Sequence, residues 1–580
     1  MERMFQNHEV RVSRTIESTW DFTVVEEPDL SVQAGQSFPY RMAVPSCWEM
    51  HPDFSTYQGV GAYRTIVNIR REASVRLIFK GVSHTAHIYW DGVKVAQHYN
   101  AYTAFDVVIP DVQPGEHTLI VAADNRFSEA SALHIPNDYY TYGGIIRPVV
   151  LEELYSPYVR QIYFTPEHKS GEWSAEVRAV VSNPNDMERT VQVTGTLAGI
   201  EFSLGTVTLA PGAEKKLQKS FAFPDVSSWS PEEPSLYQLH VRLYEDKDTG
   251  SPPLDDLIER VGFRSVTTRD GKLQVNGKDV VLQGFNRHED HPLAGAALPV
   301  SLMLHDLDLM RDMGANSVRT SHYPNDERFL DLCDELGFLV WEENHARGLS
   351  LEQMRNPNFV WQCEQVNREM VEQHYNHPSI ILWAILNECA SDTEEGREHY
   401  SRQLGQLRAL DASRPLTFAS HHRERELCFD LADIVSFNLY PGWYTDEDPK
   451  ALCEQARAWA DRAGGAGKPM IMSEFGGDGY YGLRDKARMR GTEERQADII
   501  EANLAAYTSS PFLSGMYIWQ FCDCRVTDAT GIAGRSWRTM WLNDISRGRR
   551  TLYRMNHDVC TLKKDGYVRH CTGHIHPLLF

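Results

Sequence analysis

The pattern of apolar and polar positions changes character twice along this chain of 580 residues. Up to about residue 157 it alternates in short runs, such as 74–82 (SVRLIFKGV), 86–95 (AHIYWDGVKV) and 117–125 (HTLIVAADN), separated by turn signals at Asp91-Gly92 and Pro114-Gly115. Period-two alternation broken by such turns, with no helical period, predicts an all-β jelly-roll or sandwich over 1–157. A second β block, 158–265, carries VRAVVSN, VQVTGTLAG and YQLHVRLYE, with turns at Asn183-Pro184-Asn185 and Pro211-Gly212. Its spacing suits an immunoglobulin-like β-sandwich.

From about 266 the texture becomes strand alternating with helix. Eight apolar runs (280–285, 317–320, 338–341, 380–386, 416–419, 434–437, 470–472 and 516–519) are mostly separated by helical periods such as 328–337, 362–375 and 494–507. That is the arithmetic of a (β/α)8 TIM barrel, assigned to 266–580. The longest run, Ile380 to Leu386, has no polar alternation, as expected of a strand covered on both faces. The stretch after about 540 has no such pattern.

In a parallel barrel the C-terminal strand ends carry the chemistry. Here they are polar all round. The first run ends in Asn286, Arg287, His288, Glu289 and Asp290; the second in Arg319, Ser321 and His322; the third in Glu342, Glu343 and Asn344. Asn387 and Glu388 follow the fourth, Asn438 and Tyr440 the sixth, Glu474 the seventh, and Trp519 and Gln520 the eighth. A full ring of buried polar groups is costly without a purpose, so the barrel reads as an enzyme.

Composition narrows the chemistry. A net charge of −22 argues against nucleic acid and anionic membrane surfaces as partners. The N-terminus has no apolar signal core and no stretch is long and apolar enough for a bilayer span, so the expected location is cytoplasmic. The ten cysteines are irregularly spaced and read as reduced thiols. Cys522 and Cys524 flank Asp523 without a second ligand pair, so no metal is expected, and no cofactor. Glycine-rich phosphate loops and nucleophile elbows are missing as well.

What remains is a pair of carboxylates, Glu388 and Glu474, on the fourth and seventh strands. Two carboxyl groups across a pocket can cleave a glycosidic bond, one protonating the leaving oxygen and the other attacking the anomeric carbon. The acid is expected in a position less polar than the nucleophile's or closer to the other carboxylate, where its proton is retained near neutral pH; Trp383 and Trp519 are the side chains expected to help one of the two in this way.

These residues, with the stretches GFNRHEDHP (284–292), GANSVRTSHYP (314–324), NHPS and NE (376–388), SFNLYPGWY (436–444) and SEFG (473–476), resemble glycoside hydrolase family 2, and within it the β-glucuronidases, over nearly the whole length. The resemblance implies a retaining exo-β-glycosidase acting on a terminal β-linked uronic acid, with Glu388 as acid/base and Glu474 as nucleophile. It further implies that Asn387 binds the sugar 2-hydroxyl, that His322 and Tyr440 line the sugar pocket, that Tyr444 and Trp519 form an aromatic wall, and that Asp138 reaches in from the jelly-roll. The partner is then a carbohydrate, and a homo-oligomer is compatible with the sequence.

One motif departs from the pattern. β-Glucuronidases hold the substrate carboxylate with Asn-x-Lys after the last strand, whereas Asn543 and Asn556 are followed by Asp544-Ile545 and His557-Asp558. A buried carboxylate needs a cation. Arg347, in HARG, and Arg538, Arg547, Arg549, Arg550, Arg554, Lys563 and Lys564 are the candidates. A β-galacturonidase or β-galactosidase is the alternative, and a carbohydrate-binding protein that lost catalysis is the rival of another class.

Overall fold

The computed structural model describes residues 2–29, 37–245 and 250–526. The first domain is a pair of antiparallel sheets. Ser18–Val25, Val60–Ile69 and Gly115–Asp124 form the middle of a six-stranded sheet, and Val149–Leu154 and Ala73–Phe79 the middle of a four-stranded one. Alternate residues of the two, including Trp20, Phe22, Tyr63, Leu77, Phe79 and Leu119, enclose one apolar core, the outcome expected when period-two strands each have one face to bury. The second domain packs a three-stranded sheet (Tyr158–Lys169, Glu172–Ser182, Glu214–Phe223) on a four-stranded one centred on Arg189–Leu197 and Tyr237–Glu245.

The third domain is a closed parallel barrel. In order its strands are Leu282–Asn286, Ser317–Arg319, Leu339–Glu343, Ile380–Ala384, a fifth in two pieces, then Val435–Asn438, Met470–Phe475 and Leu513–Ile518. The first pairs with the eighth, at Leu282 with Gly515, which closes the ring. The fifth breaks around buried Phe418: Leu416–Thr417 pairs with the fourth strand and Ala419–Ser420 with the sixth. Helices Val300–Asp312, Glu327–Leu336, Phe359–His374, Glu394–Leu410, Pro449–Ala460 and Glu493–Thr508 pack outside. Several begin on side-chain caps: Asp326, Thr393, Asp448 and Thr492 each accept from a backbone N–H of the first turn, satisfying donors that the helix itself leaves open. Gly284 has a steric reason: a Cβ there would lie 2.1 Å from the Ser317 carbonyl oxygen of the neighbouring strand.

Several boundaries differ from the sequence reading. Val280 belongs to a small antiparallel sheet (Val266–Arg269, Lys272–Val275, Lys278–Val280) that precedes the first barrel strand. Its Leu273 and Val275 join Leu282, Trp341, Ile471 and Tyr517 of the barrel interior in one cluster. The seventh strand continues three residues past Met472, so Glu474 lies inside it. The fourth stops at Ala384, before Ile385 and Leu386.

The jelly-roll is clamped to the barrel beside the mouth. Arg147 donates 2.7 Å bonds to Glu289 Oε2 and the Pro324 carbonyl, Tyr142 Oη donates to Asp290 Oδ1 at 2.9 Å, and Tyr102 stacks on Tyr323 with centroids 4.0 Å apart. These contacts fix the segment that carries Asp138.

Candidate active site

The turn after the fourth strand places Asn387 and Glu388. Leu386 and Glu388 both have positive φ, 49° and 53°, a region that costs a non-glycine residue free energy and is retained where surrounding bonds enforce it. Here the Glu388 N–H donates to the Ala419 carbonyl at 2.9 Å, the Gly348 N–H to the Asn387 carbonyl at 2.7 Å, and the Tyr400 hydroxyl to the Leu386 carbonyl at 2.7 Å. The apolar run therefore ends in a tight turn that aims two polar side chains into the mouth.

Arg319, at the end of the second strand and fully buried, is the hub. It donates from Nη1 to Glu474 Oε1 (2.7 Å) and Asn286 Oδ1 (2.8 Å), from Nη2 to Asn387 Oδ1 (2.7 Å) and Glu343 Oε1 (3.0 Å), and from Nε to Glu343 Oε2 (2.9 Å). Asn438 continues the frame: its Nδ2 donates to Glu388 Oε1 at 2.9 Å and Asn387 Oδ1 at 3.2 Å, while its Oδ1 accepts from Ser473 Oγ at 2.7 Å. Both glutamates and Asn387 thus hang on one hydrogen-bonded lattice. Asn387 Nδ2 is buried and has no partner among the described residues, leaving a donor for a ligand.

The two carboxyl groups have different surroundings. Glu474 is 4% exposed and accepts from Tyr440 Oη on Oε2 at 2.6 Å; Glu388 is 19% exposed, with His421 Nδ1 at 3.7 Å and Arg347 Nη2 at 4.0 Å from Oε2. Burial pushes the Glu474 carboxyl up to about 7, assisted by Glu388 and opposed by Arg319 and the Tyr440 hydroxyl. Glu474, expected as nucleophile, is thus the drier of the two, within its strand below the rim, and Glu388, expected as acid, follows a turn at the rim, so the less polar of the two expected positions for the acid is not the one Glu388 occupies. Trp383 is not a pocket residue either. Its indole donates to Asp411 Oδ2 at 2.9 Å and lies under Arg414, on the side of the helix Glu394–Leu410.

The remaining expected residues converge. His322 is fully buried, lies 2.8 Å from Glu343 Oε1 through Nδ1 and 3.9 Å from Glu474 Oε1 through Nε2, and stacks on Trp519 at 5.1 Å. Burial, then Arg319 and Arg347, holds its pKa well below the usual imidazole value, so the ring is neutral. Tyr440 and Tyr444 have ring centroids 5.2 Å apart, and Tyr444 is 65% exposed, so it is a rim wall and not an inner one. Arg347 is anchored from the jelly-roll, donating from Nη1 to Asn137 Oδ1 and from Nη2 to Asp138 Oδ2, each at 2.5 Å. Its Nε–H is buried without an acceptor among the described residues. Asp138 therefore reaches the mouth through Arg347. Arg319, Asn438 and Glu343 received no role from the sequence; their place at strand ends was their only signal there.

The other candidate cations (Arg538, Arg547, Arg549, Arg550, Arg554, Lys563, Lys564) lie outside the described residues, as do Asn543 and Asn556. Cys522 and Cys524 join no group of three metal-type donors among the described residues. No described helix is long and apolar enough to cross a membrane.

Comparison with known proteins agrees with the three-domain fold. Residues 14–155 match the family model described as glycosyl hydrolases family 2, sugar binding domain; residues 158–264 match glycosyl hydrolases family 2; and residues 266–535 match glycosyl hydrolases family 2, TIM barrel domain. A β-glucuronidase of Streptococcus agalactiae is 28% identical over 79% of this chain and 81% of its own. The structure of a GH2 β-galacturonidase from Eisenbergiella tayi bound to galacturonate is 42% identical, covering 97% of this chain and 99% of that one, with a TM-score of 0.89. A β-glucuronidase of Bacteroides uniformis is 27% identical over 89% of this chain and 65% of its own, with a TM-score of 0.79.

Proposed function

The chain belongs to glycosyl hydrolase family 2, and from that premise we propose that it is a retaining exo-β-uronidase whose preferred sugar is β-linked galacturonic acid. It is a glycoside hydrolase with a carbohydrate substrate; the sugar and the stereochemical course are our reading.

The observation that carries the reading is the shared lattice, in which Arg319 and Asn438 tie Glu474, Asn387 and Glu388 into one rigid unit. Preorganised groups of this kind need no rearrangement as charge develops. In the first step the Glu474 carboxylate attacks the anomeric carbon. The bond to the leaving oxygen breaks as that oxygen takes the Glu388 proton, and a glycosyl ester of Glu474 forms. In the second, the Glu388 carboxylate removes a proton from water, whose oxygen attacks the anomeric carbon and releases Glu474. Tyr440 and Arg319 hold the attacking carboxylate on its two oxygens. The free Asn387 Nδ2 donor is available to the sugar 2-hydroxyl, a contact that strengthens in the transition state.

Arg347 supports a uronate. It brings a guanidinium within 4.0 Å of Glu388, and its Nε–H lacks a protein acceptor among the described residues. After the last barrel strand neither Asn543 nor Asn556 is followed by the Lys of the glucuronidase pattern, and a 42% identical relative is described as a β-galacturonidase, which favours galacturonide over glucuronide. Turnover of nitrophenyl β-galacturonide, β-glucuronide and β-galactoside tests the assignment. Galacturonide turnover well above the other two is expected; a faster neutral galactoside would overturn the uronate reading, and no turnover of any would overturn the enzyme. Glu474→Ala should remove activity with the fold intact.

A further inference from the structure

We propose that Glu343 is a positioning residue that fixes the tautomer of His322, so that the pocket presents a hydrogen-bond acceptor, the ring Nε2, beside the Glu474 nucleophile. The inference rests on reading Glu474 as the sugar-facing carboxylate and adds how the sugar's hydroxyls are sorted there.

Glu343 has four lone-pair positions. Oε2 accepts from Arg319 Nε at 2.9 Å and from Trp341 Nε1 at 2.8 Å, and Oε1 accepts from Arg319 Nη2 at 3.0 Å. Guanidinium and indole N–H groups only donate, so three positions are committed to acceptance. The fourth faces His322 Nδ1 at 2.8 Å. Burial pushes the Glu343 carboxyl up, opposed by Arg319 and the Trp341 indole; with a two-point guanidinium contact and an indole N–H already donating to it, the form that fits this set of donors is the carboxylate, which can only accept, so Nδ1 carries the ring proton and Nε2 keeps its lone pair. Nε2 is buried, lies 3.9 Å from Glu474 Oε1 and has no partner among the described residues. Around the nucleophile the protein thus leaves two complementary open valences: the Asn387 Nδ2 donor and the His322 Nε2 acceptor. A sugar hydroxyl that reaches Nε2 must donate its proton.

Two measurements test this on the full-length protein. In the 15N spectrum of histidine-labelled enzyme near neutral pH, with His322 identified through His322→Asn, Nε2 should be unprotonated in the wild type and protonated in Glu343→Gln, whose amide can donate to Nδ1. A protonated Nε2 in the wild type overturns the proposal. For whichever nitrophenyl glycoside is turned over, the 3- and 4-deoxyfluoro analogues replace a donating hydroxyl by a group that cannot donate. One of them should lose about tenfold in kcat/KM in the wild type, and that penalty should shrink to about twofold or less in Glu343→Gln. Equal penalties in the two enzymes overturn it, whereas a general weakening through Arg319 would lower both substrates alike. The wild-type spectrum needs no substrate, so a wrong sugar assignment leaves the test intact, and it stands if Glu343→Gln fails to fold.

Discussion

Replacing Tyr440 by Phe removes one hydrogen bond and little volume, and it acts on the group whose ionisation sets the attack. The Tyr440 hydroxyl donates to Glu474 Oε2 at 2.6 Å and stabilises the charged carboxylate more than the neutral acid, so its loss must raise the Glu474 pKa. A hydrogen bond to a charged group contributes about 1.5–3 kcal/mol. At 1.36 kcal/mol per pKa unit, and allowing that the neutral acid also loses a weaker bond, a shift of about one unit is expected. Starting from about 7, the acid limb of kcat/KM moves to ~8, because the nucleophile must be ionised. At pH 7 the ionised fraction falls from about one half to about one tenth. The assay is the pH profile of kcat/KM for wild type and Tyr440→Phe on one nitrophenyl uronide. A limb that stays in place, or moves to lower pH, refutes the argument, and a wild-type limb near the ordinary glutamate value refutes the claim that burial dominates at Glu474.

Other variants probe separate parts of the site. Glu388→Gln should lower kcat/KM about 10²–10⁴-fold on a glycoside with a poor leaving group and much less on a nitrophenyl one, since in the first step only the former needs the proton; equal losses in kcat/KM would count against its role as acid. Arg347→Gln should reduce kcat/KM on uronides by about 10²-fold or more, the scale of leaving a buried charge unpaired, with little effect on a neutral galactoside; a uniform loss would make Arg347 a scaffold residue. Arg147→Leu strips the cation from Glu289, where both side chains are under 5% exposed, and should cost about 3–5 kcal/mol of stability, read from denaturant unfolding; a change below about 1 kcal/mol, the usual size for an exposed pair, would show that the interdomain clamp lies elsewhere.

Much of the architecture was legible because each domain repeats one period, and the mouth was legible because polar residues end nearly every strand. The misreadings have physical causes. A strand buried on both faces has no alternation, so Ile380 to Leu386 announced burial but not which side Trp383 faces; in the fold it meets Asp411 and the helices. The run also overstates the strand, because the positive φ at Leu386 and Glu388 comes from bonds to Ala419, Gly348 and Tyr400, all distant in sequence. Arg319 looked like an ordinary strand-end cation because its partners lie on the first, third and seventh strands and in the turn after the fourth. The break around Phe418 had no marker either, since both halves of the fifth strand read as one apolar run.

The charges at the mouth show what a uronate must displace. Among the described residues, Arg319 and Arg347 face Glu343, Glu474 and Asp138, with Glu388 neutral when it is ready to act as acid. A substrate carboxylate would add another anion to a site where the described carboxylates already outnumber the cations. Arg319 has no capacity to spare, because its hydrogen bonds hold the lattice. Arg347 differs: its partner Asp138 is 47% exposed, so that carboxylate can turn to water at modest cost, freeing Nη2 beside the already open Nε–H. The jelly-roll would then supply a counter-ion that yields to substrate, and a neutral sugar would have no means of displacing it. Selectivity for a uronate would arise from that exchange, in which the incoming carboxylate replaces a charge already paired at the rim and the nucleophile's own partners stay in place.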